Sequence, residues 1–166
     1  TKYTLIISLF LLFSCKNKST EKPNLIAENK TENQTTKKKT ITFPSKDGLP
    51  ITADIYSAKN ASIGILLCHQ AGYSRGEYID TAVELTKLGY AVMAIDQRSG
   101  NKVNNVKNET KLAASEKGLG VTYLDAKQDI EAAIDYIYKQ NGGKQIVLVG
   151  SSYSASLSLL IGVNNS

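Results

Sequence analysis

Apolar and polar positions divide the chain into three stretches. Residues 3–13 read Tyr-Thr-Leu-Ile-Ile-Ser-Leu-Phe-Leu-Leu-Phe, eleven residues without a charge. Residues 15–40 are polar, rich in Asn, Thr and Lys, with little to bury. From Ile41 onward, short apolar runs alternate with helical spacing. Ile41–Phe43 and Ile51–Tyr56 flank Ser45-Lys46-Asp47-Gly48, a turn signal, and predict an antiparallel hairpin. Ile63–Cys68 is apolar at nearly every position, the pattern of a strand covered on both faces. A helix is predicted over 77–88. Ser74 and Glu77 have capping-box spacing, Ile79, Ala82 and Val83 form the buried stripe, and Gly89 ends it. A second buried strand spans Tyr90–Ile95, followed by a polar loop from Gln97 to about Gly120. Thr122 and Asp125 form another capping box, opening a helix to about Gln140. Ala126, Ile130, Ala133, Ile134 and Ile137 keep helical spacing until Asn141-Gly142-Gly143 stops it. A third buried strand, Gln145–Gly150, runs into Ser151-Ser152 and a small-residue helix. The order predicts an α/β fold: a mainly parallel sheet, an N-terminal hairpin and helices on both faces.

The 166 residues suffice for one domain with an appendage. Two cysteines exclude a disulfide-stapled mini-fold, and a single histidine leaves little for a zinc site. No metal or cofactor is implied. The formal charge of +5 would suggest nucleic acid, but its location argues otherwise. Lys2 and residues 15–40 hold eight lysines and three glutamates, whereas residues 41–166 balance twelve basic against twelve acidic groups. The globular part is neutral, and a nucleic-acid partner is not expected.

Residues 1–14 are read as a signal peptide, since the apolar run falls short of the ~20 residues that a spanning helix needs. Leu12-Phe13-Ser14-Cys15 resembles a bacterial lipobox, in which the cysteine is lipidated. The resemblance implies a lipid-anchored protein of the bacterial cell envelope, with Cys15 the modified residue. The alternative is an ordinary secretory signal with an incidental cysteine. Residues 15–40 then form a disordered tether, too polar to offset the entropy of ordering. Thr1 is no initiator, so the leader is expected to begin before it. Residues 41–166 form the folded domain.

In open α/β sheets, sites form past the C-terminal ends of the strands. Gly150-Ser151-Ser152-Tyr153-Ser154 directly follows the third buried strand. It resembles the nucleophile elbow G-x-S-x-G of the α/β-hydrolase family, with Ser154 replacing the last glycine. Small residues at Gly150 and Ser154 let backbones approach, and Ser152 projects from the apex. The Tyr153 amide at the helix N-terminus can donate to an oxyanion. A serine-rich helix N-cap is the plain alternative.

His69-Gln70-Ala71-Gly72, after the first buried strand, looks like the family's oxyanion loop. The resemblance makes the Gln70 amide the second oxyanion donor and His69 a structural organiser, the family's base coming late in the chain. Asp96-Gln97-Arg98-Ser99-Gly100, with Arg75-Gly76-Glu77-Tyr78, resembles dienelactone-hydrolase and prolyl-peptidase-like enzymes, where such a segment organises the site floor. A structural ion pair, Asp96 with Arg98 or Arg75 with Asp96, fits equally. Cys68 is read as core packing.

The fourteen residues after Ser152 contain no Asp, Glu or His, so the triad acid and base are missing. The chain is therefore expected to be an N-terminal part of such a hydrolase, nearly inactive alone. In the family's order the strand ending at Gly150 is central, which would leave it here as an exposed apolar edge. The resemblance implies acyl transfer on a small-molecule or peptide substrate. Two other readings are a non-catalytic envelope lipoprotein that binds through a hydrolase-like fold, and a nucleotide binder. The second is disfavoured because no G-x-G-x-x-G follows the first parallel strand.

Overall fold

The computed structural model describes residues 3–5, 37–58, 61 and 64–164. Cys15 and most of the leader and tether lie outside the described residues. Strand β1 (Tyr3–Leu5) is followed by the hairpin β2 (Lys37–Pro44) and β3 (Pro50–Ser57), then β4 (Gly64–Cys68). A 3-10 turn (Arg75–Tyr78) leads into α1 (Ile79–Lys87) and β5 (Ala91–Ile95). The small hairpin β6 (Lys102–Val103) and β7 (Val106–Lys107), then α2 (Glu109–Glu116), precede α3 (Lys127–Gln140), β8 (Ile146–Gly150) and α4 (Tyr153–Asn164). Among the described residues, no helix is long and apolar enough to cross a membrane.

The main sheet has six strands in the order β1-β8-β4-β5-β3-β2. β8, β4 and β5 are parallel, with Leu66 opposite both Leu148 and Met93. β3 runs antiparallel to β5, and β2 antiparallel to β3. Alternation along β4 explains its apolar sequence. Leu66 and Cys68 enter the core beneath α3 and α4, whereas Ile65 and Leu67 pack in the cluster containing Tyr78 and Ala82. The helices thus cover both faces, as the sequence predicts.

Three expectations change. β2 begins at Lys37, four residues before the expected boundary, because Asp54 on β3 draws in Lys38 (3.2 Å) and Thr40 (2.6 Å). In this chain the edge expected at β8 is paired by part of the segment read as a leader: β1 lies parallel to it, with Thr4 opposite Val147. Unpaired amides and carbonyls on a strand edge accept an extended segment. The loop from Gln97 to Gly120 is structured. Asn104 and Asn105 adopt φ of 49° and 61°, the two-residue turn of a tight hairpin, and Asn108 caps α2 by accepting from Lys111 N at 2.8 Å.

Candidate active site

The site is built at the C-terminal ends of β4, β5 and β8. Between β8 and α4 the chain turns sharply at Ser152, which has φ of +57°, a strained conformation for a residue other than glycine. Ser152 is exposed. Gly150 is required here: a Cβ on it would lie 2.5 Å from the backbone of Ser154 and Ala155. Ser154, where the elbow pattern has glycine, is fully buried. Its hydroxyl lies 2.8 Å from Cys68 O and 2.9 Å from Ser151 O, and accepts from Ser151 N at 2.8 Å. The extra polar atom is therefore satisfied, and it ties the elbow to the end of β4. Cys68 O also accepts from Ser151 N (3.2 Å) and Tyr78 OH (3.0 Å). The Cys68 thiol is buried, which pushes its pKa up and makes it a core side chain.

His69 is buried with both ring nitrogens engaged. Nδ1 donates to Gln70 O at 2.7 Å, so Nε2 accepts, from Gln97 N at 3.0 Å, and faces Asn108 Nδ2 at 3.1 Å. Burial lowers its pKa to about 4 against the raising effect of its backbone partners. A neutral imidazole whose lone pair is already used organises the loop; it has none to offer a serine proton. Gly72 turns the loop at φ of +72°. Gly100 packs onto the same cluster, where a Cβ would lie 2.1 Å from Asn108 Nδ2 and Tyr73 O.

The two arginines are both consumed by carboxylates. Arg75 Nη1 donates to Asp96 at 2.6 Å, while its Nε lies 3.2 Å from Asp54, paired in charge but not aligned for a hydrogen bond. Asp96 also accepts the amides of Arg75 (2.8 Å) and Glu109 (2.9 Å). Burial nevertheless pushes its pKa up to about 6. Arg98 is 1% exposed and pairs with Asp129 and Asp47, both at 2.7 Å, rather than with Asp96. Of the ion pairs considered from sequence, Arg75 with Asp96 is the one formed. Asp47 belongs to the turn of the first hairpin, and its hydrogen bond to Arg98 holds its pKa near 2. The segment after β5 thereby locks that turn to α3.

Two features escape the sequence reading. Tyr153 stacks on Tyr123 (4.6 Å between ring centroids) and its hydroxyl accepts from Ser99 Oγ at 2.6 Å, which fixes the ring beside the turn at Ser152. Glu77 does not complete a capping box. Ser74 caps the turn alone, accepting from Gly76 N at 3.2 Å, and the Glu77 carboxylate reaches Gln70 N at 2.8 Å. The amide expected as an oxyanion donor thus has a partner already. Among the described residues, no group of three or more His, Cys, Asp or Glu is placed to hold a metal ion.

The arrangement of strands and helices that carries this turn has counterparts among solved structures. An esterase of Pyrococcus furiosus superposes with a TM-score of 0.58 at 18% identity, over 86% of this chain and 52% of its own. This is the α/β-hydrolase fold. A dienelactone hydrolase from Anabaena variabilis gives a TM-score of 0.57 at 13% identity, over 78% of this chain and 58% of its own. An α/β hydrolase from Novosphingobium aromaticivorans gives 0.54 at 19%, over 78% and 41%. The chain therefore spans about half the length of these α/β-hydrolase structures. By sequence, no protein-family model and no curated protein matches it.

Proposed function

We propose that this chain carries the nucleophile of a serine hydrolase that transfers the acyl group of an ester, thioester or amide to water. The single observation that supports this reading is the φ of +57° at exposed Ser152, held at the end of β8 by Gly150 against α4. Ser152 Oγ attacks the carbonyl carbon and its proton passes to a general base. The Tyr153 amide, at the start of α4, and the Gln70 amide receive the oxyanion. Collapse expels the alcohol, thiol or amine, and water then releases the acyl group from Ser152. His69 is not available as that base, because its Nε2 is committed to the Gln97 amide. It acts on a small-molecule or peptide acyl substrate and uses no cofactor.

We place the protein in the bacterial envelope, anchored through a lipid on Cys15, on the strength of the sequence from Tyr3 to Cys15. Incorporation of labelled palmitate that persists in Cys15→Ala would remove this assignment. The catalytic reading is tested with a fluorophosphonate probe on the full-length protein. Labelling of wild type and none of Ser152→Ala is the expected result; equal labelling of both eliminates Ser152 as the nucleophile. The second reading, a non-catalytic protein that binds through the same fold, draws on the Glu77 carboxylate at the Gln70 amide. It requires that the full-length protein remain unlabelled.

A further inference from the structure

Glu77 sits on the 3-10 turn that follows the Gln70 loop, half-buried, with its carboxylate 2.8 Å from the Gln70 amide. Among the described residues it forms no ion pair. Burial is the larger influence on its pKa and raises it, while the Gln70 amide and the Ser151 hydroxyl pull the other way. Ser151 immediately precedes the proposed nucleophile, so the carboxylate lies between the oxyanion loop and the elbow. Its titratable neighbours are Tyr78, whose hydroxyl is spent on Cys68 O, and through it Cys68 and Tyr153, all with pKa values raised. Arg75, two residues away, is held by Asp54 and Asp96. Among the described residues no cation compensates Glu77.

One amide hydrogen cannot serve a carboxylate and a substrate oxyanion at full strength together. We propose that Glu77 is a positioning residue that gates the Gln70 amide: it occupies the amide at rest, and an entering acyl carbonyl must displace it before the second oxyanion donor acts. This rests on the assignment of Ser152 and Gln70 above. The gate makes acylation depend on the charge of Glu77. Protonation weakens its grip on the amide, and removal of the carboxylate frees the amide outright.

Two measurements test this separately from the hydrolase reading. In nuclear magnetic resonance spectra of the 166-residue chain, the Gln70 amide proton should move upfield as pH falls, with a midpoint above the ordinary glutamate range. That movement should vanish in Glu77→Ala. In the full-length protein, Glu77→Ala should speed Ser152-dependent fluorophosphonate labelling roughly tenfold at pH ~7, the worth of one charge-assisted hydrogen bond no longer broken. The ratio to wild type should fall towards one as pH drops through the Glu77 midpoint. Glu77→Gln, which keeps size and an acceptor without charge, should show a smaller rise and guards against misfolding of the alanine variant. A Gln70 amide indifferent to pH overturns the gate. So does labelling in both variants that equals or trails wild type while Ser152→Ala abolishes it, and in that case the hydrolase reading survives. Labelling that never depends on Ser152 overturns both.

Discussion

His69 and Gln97 hold each other from both ends: the imidazole accepts the Gln97 amide at 3.0 Å, and the His69 amide donates to the Gln97 side-chain oxygen at 3.1 Å. This clasp fixes the end of β4 to the end of β5, and it works only with a neutral ring. The folded pKa of about 4 lies below the ordinary 6.5, so between those values the unfolded chain binds the proton that the folded one refuses. The stability from His69 is complete above pH ~6.5 and drains as pH falls towards 4, by about 3 kcal/mol in all. Urea unfolding of wild type and His69→Gln, followed across that window, isolates it from the carboxylates common to both. The stability difference should narrow by about this amount on acidification. A constant difference would show that the ring titrates normally.

Asn108 supplies the charge-neutral companion of that ring. Its Nδ2 donates to Gln97 O at 2.8 Å and faces His69 Nε2 at 3.1 Å, while its Oδ1 caps α2. Asn108→Asp keeps the cap acceptor but places a carboxylate against the imidazole. An opposite charge at this range favours the imidazolium, so the His69 pKa should rise by about 1–3 pH units. Proton chemical shifts of the ring give the titration directly. Asn108→Ala should instead leave that titration low and destabilise by about 1 kcal/mol through the lost cap.

The guanidinium of Arg98 lies in a cage that no contiguous motif foretells. Asp129 accepts both its backbone amide (2.8 Å) and its side chain (2.7 Å). Removing one partner of a buried pair strands the other, so Asp129→Leu should cost about 3–5 kcal/mol. Arg98→Met with Asp129→Leu should recover part of that loss, because no fully buried charge is then left bare, and Asp47, the guanidinium's other partner, is partly exposed to water. Denaturant midpoints of the two single variants and the double variant provide the cycle. A double variant as unstable as the sum of the singles would mean that packing, not charge, dominates here.

What was legible in the sequence follows from what each residue needs nearby. Ile65 to Cys68 and Ile146 to Val149 declare buried strands because both faces must be apolar, and the Ile130-Ala133-Ile134-Ile137 spacing declares α3. Asp129 stands on that helix as an ordinary acidic residue; only its partner 31 residues earlier explains its burial. Helix α2 has no apolar stripe, and its signals were the Asn104-Asn105 turn and the Asn108 cap. Glu77 misled because the spacing from Ser74 is shared by a capping box and by a side chain that turns away to Gln70. The tight turn after β8 is legible since steric demand leaves few residue choices at Gly150.

That steric demand can be measured. A methyl group on Gly150 would meet the backbone of Ser154 and Ala155 at 2.5 Å, and helix backbone cannot shift as a side-chain tip can. Gly150→Ala should therefore destabilise by on the order of 3 kcal/mol, pushing α4 off the end of β8. Ser154→Ala removes no bulk that packs against Gly150, but it takes the shorter of two acceptors from Ser151 N, leaving Cys68 O at 3.2 Å, and reduces the donors on Cys68 O. Its cost should be smaller, about 1–3 kcal/mol. Thermal unfolding ranks the two, and relaxation of the Ser152 backbone, seen as loss of its left-handed φ in amide coupling constants, should accompany Gly150→Ala alone. If both variants unfold with wild-type midpoints, α4 does not press on Gly150, and the strained turn that presents Ser152 has no support.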